Sequence, residues 1–301
     1  MTREPQVAVP ATDASPGVVP TTATTASSTS GLHRVLALGL VQVRHEVRTY
    51  FRAGDTVFFT FLFPVVMLAI FSTAFSASGS FGVRPDGSAV DAAAYYLPGM
   101  IAAGGLLSGV QALGVDIAVE RSDGTLKRLA GTPLPVASWF LGKLGQVVVT
   151  NLLQVALLLV VARVLFGVPL PTESTAWATL GWVWLLGLAG SALIGIALSR
   201  VPRSGRSASA VIVPITLVLQ FVSGVYLPFA QLPTWLQQAA SAFPLKWLAQ
   251  GMRSVFLPES SAAAEVGGTW DLPGVALWLA VWLVAGAVAA RLTFRWGRRD
   301  A

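Results

Sequence analysis

Apolar residues in this chain come in long runs separated by short polar segments. The runs free of Asp, Glu, Lys and Arg are 56–83, 92–115, 144–162, 174–199, 207–245 and 272–290, apart from a polar one near the N-terminus. A helix needs about 20 mostly apolar residues to cross the hydrocarbon core of a bilayer, so five of the six hold one span each. The run 207–245 is longer and is broken by Pro214, Pro228, Pro233 and Pro244. It predicts one span and then a segment, 228–256, that dips into the membrane from the outer side without crossing it. Spans are expected near 57–76, 94–115, 144–166, 176–198, 210–227 and 273–291. The fold class that follows is an all-α integral membrane protein, with six transmembrane helices and an outer re-entrant helical hairpin between spans five and six. Ser223, Gly224, Pro228, Pro233 and Pro244 shape that hairpin.

A different pattern precedes the first span. Over 32–54, Leu36, Leu40, Val43, Val47 and Tyr50 recur at helical spacing, while Arg44, Arg48 and Arg52 line another face. This is an amphipathic helix whose arginines suit lipid headgroups. Gly54 can end it, and Asp55 is placed to cap the helix that follows. Residues 1–31, with their "TTATTASSTS" run, bury too little apolar surface to offset ordering, and a disordered cytoplasmic tail is expected there. The six-span domain fills 55–301.

Composition sharpens the reading. Only 11% of the 301 residues are charged and 54% are hydrophobic, against about 25% charged in a soluble domain. With the N-terminus inside, sixteen of the twenty Lys and Arg fall in inner segments, as the positive-inside rule requires. Both termini are then cytoplasmic, and the net charge of +6 is a topology signal rather than a sign of nucleic-acid binding. The chain has no cysteine, which leaves neither a disulfide framework nor a thiolate metal site, and its two histidines, His33 and His45, both lie near the N-terminus. Seventeen of the twenty basic residues are arginine in an Ala-, Gly- and Val-rich chain, which suggests a GC-rich bacterial source and hence a bacterial plasma membrane.

No catalytic signature is present. "FLGKLG" has Gly142 and Lys143 but neither the first glycine nor the hydroxyl of a phosphate-binding loop. The spans hold almost no ionisable residue at mid-depth, where ion-driven carriers need them. Asp116 and Glu120 read as solvated residues at the inner end of span two. Such a chain binds no nucleotide, cofactor or metal of its own, so any transport takes its energy from elsewhere.

One short segment, 116–135, is charged on an otherwise apolar background. Its "SDGTLKRLAGTP" predicts a brief helix, started by Ser122 or Asp123 and stopped by Gly131 and Pro133. Asp123 stands four residues before Lys127, the favourable order for a pair. Leu126, Leu129 and Ala130 make an apolar edge, and Lys127 and Arg128 point elsewhere. A helix this short needs a surface to pack on. A plain cytoplasmic turn and a knob for a soluble partner are both compatible with the residues.

"ERSDGTLKRLAGTPLP" resembles the hallmark of the permease subunits of type-2 ABC transporters. Glu120, Arg121, Gly124, Thr125, Leu126, Leu129, Thr132 and Pro133 match it one by one. "FLFPVVMLAIF", "YLPGM" and "SGVYLP…LPTWLQ…FPLKWL…R" are similar to the family as well, and the daunorubicin-resistance branch is the nearest in overall look. The resemblance implies that 116–135 is a coupling segment gripped by a separate ATPase, with Leu126 and Leu129 filling the ATPase's groove. ATP and Mg2+ would bind in that partner, and a second permease would complete the assembly. The implied function is export of a hydrophobic or amphipathic compound, a drug-like molecule or lipid. Export of a lipid-linked glycan is the runner-up within the family. A non-transporting membrane scaffold and a secondary carrier are the rivals outside it.

Overall fold

The structure, a computed structural model, describes residues 28–76, 81–265 and 267–294. Most of the expected tail, 1–27, and the basic end with Arg295, Arg298 and Arg299 lie outside these residues. Helix α1 (Ser28–Arg52) starts a few residues before the predicted boundary, and α2 (Gly54–Ala74) follows after Ala53 alone. Asp55 does not cap α2. Ala53 holds that position, and Asp55 sits in the first turn, where a carboxylate suits the positive end of the helix dipole.

The second apolar run gives α3 (Ala92–Leu106), a π-helical stretch (Leu107–Ala112) and α4 (Leu113–Ser122) as one continuous rod. Asp91 opens it by accepting the Ala94 N–H at 2.7 Å. The rod passes the predicted end near 115 because Leu113, Ile117 and Ala118 keep one face apolar and buried beyond Asp116. The first residues of the 116–135 segment are therefore helix, not loop. After α5 (Thr125–Ala130) come α6 (Val136–Phe166), α7 (Ser174–Leu198) and α8 (Gly205–Val222). Two shorter helices, α9 (Thr234–Ser241) and α10 (Pro244–Phe256), precede α11 (Leu272–Thr293). Among the described residues, six helical rods are long and apolar enough to cross a membrane: α2, α3 through α4, α6, α7, α8 and α11.

The α3 segment is buried along its whole length and forms the centre of the bundle. Tyr95 and Tyr96 are both buried there. Tyr95 stacks on Phe81 and Tyr96 lies against Phe71 and Phe75. Close crossings rely on glycine: a Cβ on Gly195 would fall 2.1 Å from the Gly109 carbonyl oxygen, inside the π-helical stretch.

Helix α6 has 31 residues, about 46 Å at 1.5 Å each, against an apolar layer of about 30 Å. The charge-free run 144–162 is enough to fill that layer, and α1 lies along the turns of α6 that precede it. Gly142 and Gly145 make room for Gln42 and Val43, and Ser138 Oγ donates to the Val35 carbonyl at 2.9 Å. The predicted apolar stripe of α1 is thereby divided: Val43, Val47 and Tyr50 are half-buried, whereas Leu36 and Leu40 stay exposed. Arg44, Arg48 and Arg52 are exposed.

The prolines between spans five and six act as starting points. Pro228 precedes a short 3-10 turn, Pro233 precedes α9, and Pro244 is the first residue of α10. Ser223 ends α8, and Gly224 turns the chain at φ +75, a conformation that favours glycine. Lys246 and Arg253 are both buried in α10. Arg253 donates through Nε to Glu265 and through Nη1 to the Gly224 carbonyl at 3.1 Å. Lys246 bonds Gln250 and lies 3.8 Å from the centre of the Trp247 ring. These partners replace the water that buried charges would otherwise need.

Candidate functional site

Between α4 and α5 the chain turns on Gly124, whose φ of +81 favours a residue without Cβ. Asp123 Oδ1 accepts the Thr125 N–H at 2.9 Å and starts α5, whereas Ser122 Oγ donates back to the Val119 carbonyl. Side-chain and backbone hydrogen bonds from Thr125 hold the Asp123 carboxyl below the usual carboxylate range. Arg128, rather than Lys127, folds back, donating to Thr125 Oγ1 at 2.9 Å. Arg121 donates to the Pro202 carbonyl at 2.8 Å and so ties this segment to the chain ahead of α8.

Leu126 is only 4% exposed and packs with Leu113, Ile117 and Trp139, with Leu129 half-buried beside them. This alters the expected roles, because Leu126 is already spent inside its own chain. What α5 and the following turn present outward is Lys127, Arg128, Ala130, Gly131, Thr132 and Pro133. That surface is basic and short, and it has no large apolar side chain.

Just inside it lies a knot of charge that the sequence reading missed. The Lys143 ammonium, 1% exposed, is 2.6 Å from Asp116 Oδ2, 2.6 Å from Glu120 Oε1 and 2.9 Å from Glu46 Oε2. Glu120 is therefore not a solvated helix end: it joins the root of the charged segment to α6 and, through Lys143, to α1. The carboxylate oxygens lie within 4.8 Å of one another, close enough to ligate a cation, and the ammonium supplies that charge.

Beyond the knot, α6 carries Gln146, Thr150 and Gln154 at steps of four, a polar stripe in an apolar span. Pro64 cannot donate to the Thr60 carbonyl four residues back in α2, and Gln154 Nε2 donates to that oxygen at 2.9 Å instead. Asn151 bonds Gln154 at 3.0 Å and accepts the Trp184 indole N–H at 2.8 Å. Thr216 of α8 donates to Gln111 Oε1, in the π-helical stretch, at 2.8 Å. Gln111, Gln146, Gln154 and Gln220 line a cavity of about 350 Å3 with Phe59, Phe63 and Leu217. A second cavity of about 550 Å3 adjoins it and reaches Glu46 and Asp116. The four-residue spacing of Gln146, Thr150 and Gln154 was a readable signal, but Lys143 was not, since its partners are remote in sequence.

The six rods, the charged turn after the second and the polar cleft beside them fit a transport subunit. A search among curated proteins returned no significant match. The family model described as ABC-2 family transporter protein matches residues 83–292, more than half of the chain. Members of that family work with an ATPase subunit, and this multi-pass membrane protein belongs to the ABC-2 transporter family.

Proposed function

We propose that this chain is the permease of an ATP-driven exporter, moving a hydrophobic or amphipathic compound out of the cytoplasm or inner leaflet, as in the daunorubicin-resistance-like branch. Two permeases and two ATPases form the working unit, ATP and Mg2+ are bound by the ATPases, and both termini face the cytoplasm of a bacterial cell. In this reading α1 lies at the inner membrane surface on its arginine face, and 228–256 re-enters from outside. The observation that carries the proposal is the α5 segment. Its basic edge is exposed, and its root is fixed by Glu120 to Lys143 of a long apolar helix; the positive-inside pattern supports an inner position for that edge. A push on that edge reaches the bundle through an ion pair rather than through a loose loop.

The test reverses the exposed charges, Lys127→Glu with Arg128→Glu, and leaves the buried leucines alone. The double variant should reach the membrane at normal levels and lose both co-purification with its ATPase and transport. Glu120→Gln should keep the ATPase bound and lower the transport obtained per ATP hydrolysed. A charge-reversed protein that still held its ATPase and still exported would reduce this segment to a cytoplasmic turn.

A further inference from the structure

A separate groove lies at the same end of the bundle as α5, between α6, α7 and the last turns of α11. Phe140 and Leu144 of α6, Leu193 and Ile196 of α7 and Ala290 of α11 line it. At one end Phe294 crosses from α11 to α6, its ring 4.8 Å from that of Phe140 and 5.4 Å from that of Trp139. The cavity is about 370 Å3, and Arg291 is the one side chain in its lining that is not apolar. Leu141 and Leu292, on the helices beside it, are exposed, so the surface around the groove is apolar as well. Arg291 is exposed and has no carboxylate partner among the described residues. Arg200, just past α7, reaches the same corner, where its Nη1 donates to the Thr293 carbonyl at 3.1 Å. It too has no carboxylate partner among the described residues, because Glu46, Asp116 and Glu120 are taken up by Lys143.

We infer that this groove holds an anionic phospholipid, with one acyl chain along the apolar lining and the phosphate at Arg291 and Arg200. A guanidinium forks onto phosphate oxygens through two parallel hydrogen bonds, and basic pockets between spanning helices suit anionic headgroups. The C-terminal end of a helix by itself disfavours an anion, and Arg200, bonded to the Thr293 carbonyl of α11, offsets that. Two arginines without a counter-ion favour a headgroup of net negative charge over phosphatidylcholine, whose phosphate carries its own ammonium. A soluble anion would leave the apolar lining uncovered, and a plain hydrocarbon would leave both arginines unpaired. The groove lies on a different side of α6 from the cleft lined by Gln146, Thr150 and Gln154, so this lipid is a standing partner of the subunit and not its cargo. Its place in the inner leaflet rests on the inner position of α5; its binding does not.

The test uses the full-length chain in neutral detergent micelles, adds dioleoylphosphatidylglycerol or dioleoylphosphatidylcholine, and follows bound lipid by native mass spectrometry. The first phosphatidylglycerol should be held at collision energies that strip phosphatidylcholine. Arg291→Gln and Arg200→Gln should each weaken that first lipid by about fivefold, the scale of one basic side chain near an anionic surface. Leu144→Trp, which fills the groove and keeps both charges, should weaken it too. Arg163→Gln removes an equal charge at the other end of α6 and should change nothing. Glycerol phosphate, a headgroup without chains, should not compete. Equal retention of the two lipids, or an equal loss in Arg163→Gln, would overturn the assignment. Displacement by glycerol phosphate would overturn it in favour of a soluble anion. The lipid comparison and the competition need no variant, so they decide the matter even where a variant fails to fold. None of these readings involves the ATPase or transport, so failure here is distinct from failure of the exporter reading.

Discussion

Lys246 is a charge held where water does not reach, and its position has a measurable cost. Burial pushes its ammonium down to about 8, with Glu265 and Asp271 opposing the shift and Arg253 adding to it. Between that value and the ordinary 10.5, the unfolded chain keeps a proton that the folded chain has released. Stability therefore rises with pH across this window through this residue. Melting temperatures of the purified protein at the two ends of the window should show the rise, and Lys246→Met should flatten it. An unchanged slope in the variant would mean that another group titrates. Residues of this kind were the least legible in the sequence. Arg253 and Lys143 look like ordinary surface cations until the fold brings Glu265 and Glu46 to them, and Lys246, whose partner Gln250 is one helical turn on, carries no local sign that it is buried. Leu126 was misjudged for the same reason: its spacing showed an apolar edge, but nothing local said which body that edge would meet.

Helices were far more legible, since a charge-free run of membrane-crossing length has few other solutions. The six rods fall where the runs placed them, and their ends shift wherever one polar residue interrupts an apolar face without ending it, as Asp116 does in α4 and Lys143 in α6. The three prolines after α8 did mark element starts. Whether that region crosses the bilayer is open to a direct measurement, because the chain has no cysteine of its own. Single cysteines at Thr269 and Arg203, both exposed and neither a helix cap, should behave oppositely. An impermeant thiol reagent on intact cells should label Thr269→Cys and spare Arg203→Cys. Labelling of the two from the same side would mean that 228–256 crosses the bilayer as well as α8.

Across the whole molecule, burial is uneven. The second rod is enclosed, whereas α2, α8 and α11 bury only about a fifth or less of their apolar windows within the chain. The rest of those faces is not covered by this chain. The family match covers this bundle from the second rod through α11 and starts beyond α1 and α2, although α1 is packed along the first turns of α6. Those turns have a mechanical consequence. At Lys143, α6 grips the root of the charged turn, and at Gln154 it grips span one where Pro64 left a carbonyl open. A stiff rod of about 46 Å turned by roughly 10° about its middle carries each end some 4 Å in opposite directions. The helix is then a lever whose usefulness depends on its bending stiffness between the two grips. Val148 sits in that interval with its side chain exposed, so Val148→Gly with Val149→Gly softens the rod at about 1 kcal/mol per glycine and touches neither grip. Such a protein should still fold, hold its ATPase and allow ATP to be hydrolysed, while export falls because the stroke is absorbed before it reaches the far end.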